Sequence, residues 1–347
     1  MKNTYSRRDF LKLMAMSAAV PALTPLNPLH PALDNGPMIR IASDEVSVYS
    51  EPNDESTIVY QHYRDDLVNY YARIRSEDGP DYNPYWYRVW RGYIHSARIQ
   101  EVQYRVNTIN ENIVETGQIG EITVPYTQAM WNRGVYGGWQ GLYRLYYTTI
   151  HWVMGLDEGP DGNPWYRLKD ELSELEYHVP AEYVRLIQPE EYAPISPEVD
   201  PWHKRIEVNL STQTLVAYEN NNPVLTTLIS SGLPDYNADD GLISTQTPVG
   251  SFNVYSKMPS KHMGDGNLTD DIYAYELPGI AWTTFFAPHG VAFHGTYWHQ
   301  NFGIPMSHGC INMKTEEARW IFRWTSPVAL CDRVEQVGNG TPVTVYA

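Results

Sequence analysis

Short runs in which apolar and polar residues alternate recur along most of the chain, and turn residues separate them. Examples are Val46-Ser-Val-Tyr49, Ile122-Thr-Val124 and Arg205-Ile-Glu-Val-Asn-Leu210. A period of two places alternate side chains on opposite faces of a strand. The pattern therefore predicts a mainly β protein that is built from many short strands.

One stretch near the C-terminus has a helical pattern instead. Thr315 is a suitable N-cap, two glutamates follow it, and Ala318, Ile321 and Phe322 recur on one helical face. These features predict one short helix that packs on the sheets of a C-terminal domain.

A motif recurs in the first half of the chain. Gly79-Pro-Asp-Tyr-Asn-Pro84 returns as Gly159-Pro-Asp-Gly-Asn-Pro164, and Trp86-Tyr-Arg-Val89 returns as Trp165-Tyr-Arg-Leu168. The first element has turn chemistry, and the second has strand chemistry. A repeated set of short strands predicts two small β-barrels.

These motifs resemble strands of bacterial SH3-like domains. The resemblance implies two SH3-like barrels, at residues 38–105 and 118–190. Such domains would either contact cell-wall glycan or peptide, or only space the next domain from the membrane or wall. Trp131 and Trp139 are candidate aromatic contacts, although core positions would explain them equally well.

Prolines and acidic residues are concentrated between residues 191 and 201. This composition predicts a stiff linker that leads into a catalytic domain at residues 202–346.

The N-terminal segment Ser6-Arg7-Arg8-Asp9-Phe10-Leu11-Lys12 resembles a twin-arginine export signal. The uncharged segment from Leu13 onwards is interrupted by prolines and is short for a membrane-spanning helix. We therefore predict a signal peptide over residues 1–35 and a location in the cell envelope, in the periplasm or at the cell wall.

The formal net charge is −16. Nucleic-acid binding needs basic patches that neutralise phosphates, so this acidity argues against a nucleic-acid partner. The chain has two cysteines, Cys310 and Cys331. Because the first is a candidate nucleophile that must stay free, we expect Cys331 to be a small buried residue rather than a disulfide partner.

The candidate chemistry lies in residues 291–313. Cys310 sits among small and polar neighbours, and His294 follows an apolar run that predicts a strand. Turn residues between the two predict that the chain folds back and brings Cys310 towards His294. A thiol is a poor nucleophile until it loses its proton, and a neighbouring imidazole can remove that proton.

The sequence motifs themselves are distinctive. His294-Gly295-Thr296 followed by Ser307-His308-Gly309-Cys310-Ile311-Asn312 resembles the signature of the L,D-transpeptidases, the YkuD-type catalytic domain. Thr247-Pro248-Val249-Gly250 is similar to the Thr-Pro-x-Gly turn of that family. The resemblance covers roughly residues 201–346 and implies a YkuD-type β-sandwich with a short helix.

The resemblance also implies roles for individual residues. Cys310 would be the nucleophile and His294 its base, oriented by the carbonyl of Gly295, while His308, Gly309 and Cys310 would frame the oxyanion hole. The residues expected to contact substrate are Ser307, Asn312, Tyr297 and Tyr273. The implied partners are peptidoglycan peptide stems, with carbapenems as covalent inhibitors, and no cofactor is implied.

Histidines near the site raise the alternative of a zinc centre. The spacing of His289, His294, His299 and His308 lacks the His-x-His and His-x-x-x-His pairs of common zinc sites, so no metal is predicted. His262 lies in residues 257–271, whose glycines and aspartates predict a mobile loop, and it is interpreted as a surface residue.

Three functional alternatives stay open at the level of sequence. Water could resolve the thioester, which would make the protein an L,D-carboxypeptidase. The same acyl-enzyme could attach a protein to the wall. An inactive wall-binding protein is the third alternative, and the intact set of His294, Ser307, His308 and Cys310 argues against it.

Overall fold

Strands predominate in the computed structural model, which describes residues 36–234 and 244–347. The predicted export signal at residues 1–35 lies outside the described residues. The strands form five sheets, and each sheet takes its strands from one of three stretches. These stretches are residues 38–102, here called the first module, residues 118–186, the second module, and residues 204–346, the C-terminal domain.

The first module contains two sheets, with strand orders β4-β1-β8 and β3-β2-β7-β6-β5. Its strands are β1 (Met38–Ile41), β2 (Glu45–Tyr49), β3 (Ile58–Tyr63), β4 (Leu67–Asn69), β5 (Ala72–Arg75), β6 (Tyr85–Val89), β7 (Gly92–His95) and β8 (Ile99–Val102). The predicted Trp-Tyr-Arg-Val strand is β6, and Trp86 and Tyr87 on it are fully buried.

The second module forms one sheet with the order β11-β10-β14-β13-β12-β9-β15. Its elements are β9 (Gln118–Ile122), β10 (Tyr126–Asn132), a one-turn helix α1 (Gly134–Gly137), β11 (Trp139–Tyr146), β12 (Ile150–Glu158), β13 (Pro164–Lys169), β14 (Glu176–Pro180) and β15 (Val184–Leu186). Trp131 and Trp139 are half-buried, and the Trp139 ring contacts Trp165. The assignment of both modules to the SH3-like family stays a prediction.

The C-terminal domain has two five-stranded sheets, with orders β18-β17-β16-β25-β19 and β23-β22-β21-β20-β24. Its elements are β16 (Lys204–Asn209), β17 (Thr214–Glu219), β18 (Asn222–Leu228), β19 (Gly250–Asn253), β20 (Ser256–Gly264), β21 (Glu276–Ala287), β22 (Val291–Gly295), β23 (Ile311–Met313), helix α2 (Thr315–Trp324), β24 (Gln336–Val337) and β25 (Pro342–Tyr346). Alternating apolar residues of the sheets and the apolar face of α2 share one core, which includes Val208, Leu215, Phe293 and Phe322. None of the helices in residues 36–234 and 244–347 is long and apolar enough to cross a membrane.

Three local expectations are corrected. The predicted helix is present, but Lys314 occupies the N-cap position and Thr315 begins the helix. Much of the predicted loop over residues 257–271 is strand β20, and His262 on it is buried instead of lying on the surface. Cys331 is exposed rather than buried, because it lies in the turn-rich segment after α2, and both cysteines are free.

The predicted linker is also more closely packed than a spacer would be. A short 3₁₀ helix spans Pro189–Tyr192, and the Tyr192 ring is buried against Trp282 and Phe322. Glu191 lies 2.8 Å from both Arg185 of the second module and Arg319 of α2. The aromatic ring and the bridging carboxylate therefore join this segment to the core of the C-terminal domain.

A buried ion network joins the three stretches at Arg40. The Arg40 guanidinium is 2.7 Å from Asp65 and donates to the Tyr297 carbonyl at 3.0 Å. Asp65 also binds Arg144 of the second module. The Tyr146 ring lies under the guanidinium and stacks on Tyr297. Arg40 is only 1% exposed, so its charge depends on these partners for compensation.

Replacement of Arg40 by methionine tests how much this network contributes to the stability of the fold. The change keeps an unbranched side chain but leaves the Tyr297 carbonyl without its donor and removes one of the cationic partners of Asp65. We expect the free energy of unfolding, measured in urea by tryptophan fluorescence, to fall by about 3 kcal/mol. The matched control, Arg88→Met on the exposed face of β6, should change it by less than about 0.5 kcal/mol. Equal losses in the two variants would contradict a joining role for Arg40.

Candidate active site around Cys310

The pairing of β22 with β23 brings the two halves of the predicted site together. The strands are parallel, and His294 pairs with Asn312 while Phe293 pairs with Ile311. Paired residues of neighbouring strands point to the same face of a sheet, and residues two apart share that face. Cys310, two residues before Asn312, therefore lies on the face of His294, and it packs against Ala292. The fold-back predicted from the turn residues is present.

Cys310 is a neutral thiol at rest. Its Sγ donates a long hydrogen bond of 3.7 Å to the Gly290 carbonyl. Burial raises the pKa of the thiol to about 11, because a thiolate would lose hydration there. At neutral pH the thiolate fraction is consequently small, and nucleophilic attack needs a base.

His294 is the base expected from sequence, and this role stays a prediction. It is 2% exposed and lies at the end of β22. Its Nδ1 is 3.1 Å from the Gly295 carbonyl, the partner expected from sequence, and this contact fixes the proton on Nδ1. Burial lowers the pKa of His294 to about 4, so the imidazole is neutral and its Nε2 presents a lone pair.

Ser307 stabilises the loop that carries the nucleophile. It is buried, its hydroxyl donates to the Cys310 carbonyl, and its Oγ accepts from the Gly309 N–H at 3.2 Å. The Gly309 N–H is thus engaged at rest, whereas the sequence assigned it to the oxyanion hole. Contact of Ser307 with substrate stays a prediction.

The Thr-Pro-x-Gly motif supports the same loop from the other side. The Thr247 hydroxyl donates to the Gly309 carbonyl at 2.8 Å and accepts from the Gly232 N–H at 2.9 Å. Gly309 has a φ of +117°, which favours glycine. A Cβ on Gly232 would lie 2.9 Å from the Gly309 Cα, so both glycines permit this close approach. The motif itself was visible in the sequence, but its contact with Gly309 was not.

Asn312 is buried behind the site. Its side-chain amide lies 2.9 Å from Nε2 of His299, which is also buried. Nδ1 of His299 accepts the Asn301 N–H at 3.1 Å, so both ring nitrogens of His299 have a partner within hydrogen-bond distance. This pair connects the strand of the nucleophile with the segment that follows His294, and no sequence signal identified it.

His308 is exposed next to the nucleophile and faces a tyrosine that sequence reasoning missed. The rings of His308 and Tyr275 are 6.2 Å apart. Burial raises the pKa of Tyr275 and of Tyr255, and the nearby Cys310 contributes to both shifts. The Tyr275 ring therefore lies beside His308, two residues before Cys310.

The two tyrosines that were expected to contact substrate pack against residues of the first two modules, and their contact with substrate stays a prediction. Tyr297 is 6% exposed and stacks on Tyr146 of the second module. Tyr273 is exposed, with the Arg64 guanidinium over its ring at 5.1 Å. Tyr275, whose ring faces His308, is not distinguished from its neighbours by any sequence motif.

The structure offers no candidate metal site in the part of the chain that it describes. No group of three or more His, Cys, Asp and Glu side chains is placed there to hold a metal ion.

The comparisons with known proteins concern the C-terminal domain. Residues 203–345 match the family model of the YkuD L,D-transpeptidase catalytic domain. L,D-transpeptidase 1 of Mycobacterium tuberculosis is 30% identical over 143 residues, which are 38% of this chain and 49% of that protein. This chain therefore spans about half the length of that curated relative.

Two solved structures show the extent of structural likeness. The catalytic domain of the Enterococcus faecium L,D-transpeptidase is 29% identical, covers 41% of this chain and 96% of that chain, and has a TM-score of 0.30. L,D-transpeptidase 3 of Mycobacterium tuberculosis, solved with a faropenem-derived adduct, is 21% identical, covers 50% of this chain and 74% of that chain, and has a TM-score of 0.31.

The family model and the curated relative support a YkuD L,D-transpeptidase catalytic domain in residues 203–345.

The neutral state of the Cys310 thiol predicts how its rate of reaction with iodoacetamide depends on pH. Only the thiolate is alkylated, and below the pKa of about 11 its fraction rises about tenfold per pH unit. We expect the alkylation rate of Cys310, followed by mass spectrometry, to rise in this way from pH 6 to 9. Because Cys331 is exposed, the measurement uses a Cys331→Ser background. A rate that is already constant near neutral pH would show a thiolate–imidazolium pair and contradict the prediction.

Proposed function

We propose that this protein is a peptidoglycan L,D-transpeptidase that uses Cys310 as its nucleophile and His294 as its base. The observation that carries the proposal is the parallel register of β22 and β23, in which His294 pairs with Asn312, two residues after Cys310. The hydrogen bond of His294 Nδ1 with Gly295 supports the role of base, because it leaves Nε2 free to accept a proton. The family match over residues 203–345 supports the reaction class.

Acylation is the first half of the proposed reaction. His294 Nε2 takes the proton of the Cys310 thiol, and Sγ attacks the carbonyl carbon of the third residue of a tetrapeptide stem. The bond to the terminal D-Ala breaks, and the imidazolium of His294 gives its proton to the departing amine. A thioester on Cys310 and free D-Ala are the products.

Deacylation completes the cross-link. The side-chain amine on the third residue of another stem attacks the thioester carbonyl while His294 accepts its proton. The carbon–sulfur bond then breaks, the proton returns to Cys310, and a 3→3 cross-link is left. Attack by water instead would give the L,D-carboxypeptidase reaction, and attack by a protein amine would attach that protein to the wall.

The oxyanion that forms in each step needs hydrogen-bond donors. Gly309 N–H is engaged by Ser307 Oγ at rest, so we assign the main donor role to the backbone N–H of Cys310, with His308 beside it. A shift of Ser307 on substrate binding would release the Gly309 N–H as a second donor.

Contact with the wall is proposed for the first module. A cavity of about 890 Å³ lies between this module and the C-terminal domain. Arg73, Tyr82 and Tyr85 line one side of the cavity, and Thr296 and Lys314 line the other. Its aromatic and charged groups suit a polar ligand such as wall glycan or peptide. Export by the twin-arginine route to the cell envelope is proposed from the sequence alone.

Covalent labelling by a carbapenem tests the nucleophile. Carbapenems are the covalent inhibitors that the resemblance to the L,D-transpeptidases implies. We expect meropenem to add once to the Cys331→Ser protein and not at all to the Cys310→Ala, Cys331→Ser protein, as measured by intact mass. His294→Gln should slow the addition about 100-fold or more, because the proton acceptor is lost.

The products with a disaccharide tetrapeptide then separate the alternatives. A cross-linked dimer supports transpeptidation, whereas a tripeptide without dimer supports hydrolysis. Failure of folded, reduced protein to form any adduct would contradict the proposal and favour a wall-binding protein.

A further inference from the structure

The loop at residues 265–275 connects β20 with β21 and ends beside the nucleophile. It presents Tyr275 to His308, at 6.2 Å between ring centres, and His308 lies two residues before Cys310. The loop therefore brings an aromatic side chain to the segment that carries Cys310.

A buried histidine links this loop to the second module. His262 of β20 is 2% exposed. Its Nδ1 lies 2.7 Å from Asp170 of the second module, and its Nε2 lies 2.8 Å from Glu276 at the start of β21. The side chains of both carboxylates are also buried. The His262 imidazole thus joins an acidic residue of the second module to one of the C-terminal domain.

Glu276 passes this connection on to the loop. Its carboxylate accepts from the Gly266 N–H at 3.2 Å and from the Asn267 N–H at 2.7 Å. The second module holds the same turn directly, because the Tyr143 hydroxyl donates to the Asn267 carbonyl at 3.1 Å. The turn at Gly266 and Asn267 is therefore held by two sets of contacts. One runs through His262 and Glu276, the other comes from Tyr143, and both start in the second module.

We propose that His262 is a positioning residue for acylation, through which the second module holds the loop of Tyr275 against the active site. This inference rests on the proposed function of Cys310. It assigns the second module a role in catalysis that is separate from wall contact or spacing.

The charges around His262 make the connection dependent on pH. Burial alone would lower the pKa of His262, but the hydrogen bonds and charges of Asp170 and Glu276 raise it above its usual value. The other groups that face it are Glu171, which accepts the His262 N–H, and Lys261, Tyr143 and His151. At pH values below about 6.5, the pKa of histidine in the unfolded chain, the contribution of the His262 imidazolium and its two carboxylates is fully present. This contribution is lost as the pH rises through the raised folded value.

The test compares meropenem acylation of His262→Gln and the parent protein, both in the Cys331→Ser background, from pH 6 to 9. We expect the variant to be at least tenfold slower at pH 6, and the ratio of the two rates to approach one at alkaline pH. Alkylation of Cys310 by iodoacetamide should differ by less than twofold, because the thiol itself is unchanged. His178→Gln, which breaks another histidine–carboxylate contact within the second module, is the matched control and should acylate at the parent rate.

A deficit that is the same at every pH, or no deficit at pH 6, would overturn the proposal. If His262→Gln does not fold, Tyr143→Phe is the second variant. It removes only the Tyr143 hydroxyl that donates to the Asn267 carbonyl, and it should slow acylation about threefold. Hydrogen exchange of residues 265–275 at pH 6 judges the inference independently of the function. Faster exchange in His262→Gln supports the hold of His262 on this loop even if the parent forms no adduct, and unchanged exchange contradicts the inference.

Discussion

The parallel pairing of β22 with β23 is the constraint on which the candidate site depends. Two parallel strands cannot be joined by a tight turn, so a long connection must run from His294 to Cys310. Its contacts come largely from outside the two strands: Arg40 holds the Tyr297 carbonyl, and Asn83 donates to the Asn301 side chain at 3.0 Å. The register of nucleophile and base is thus supported by residues more than 200 positions earlier in the chain.

Burial determines the chemistry of the pair that this register creates. Both side chains lose hydration, so the charged form of each is disfavoured: the pKa of Cys310 rises to about 11 and that of His294 falls to about 4. A thiolate–imidazolium pair would be costly in this environment without a further charge to stabilise it. Proton transfer is therefore best coupled to attack on a bound carbonyl, where the developing charge moves onto substrate and its hydrogen-bond donors.

Local patterns predicted a large part of this architecture. Alternation identified the strands, spacing identified the helix of α2, and the two His-Gly and Ser-His-Gly-Cys motifs located the candidate site. His262 and Tyr275 were missed or wrongly placed because their environments come from distant contacts, whereas Cys331 is exposed in a turn-rich segment. His262 is buried by Asp170, which lies 92 residues away in sequence, and no periodicity within residues 257–271 records that neighbour.

The same distant contacts change how the two modules should be viewed. Wall contact and spacing were the alternatives at the level of sequence, and both treat the modules as separate from the chemistry. Arg40 and His262 instead connect one module each to a segment beside Cys310. A ligand that binds a module can alter the site only if it binds the docked and displaced states with different affinities. Because both connections are buried and charged, displacing a module would expose unpaired charge, and this cost favours the docked state.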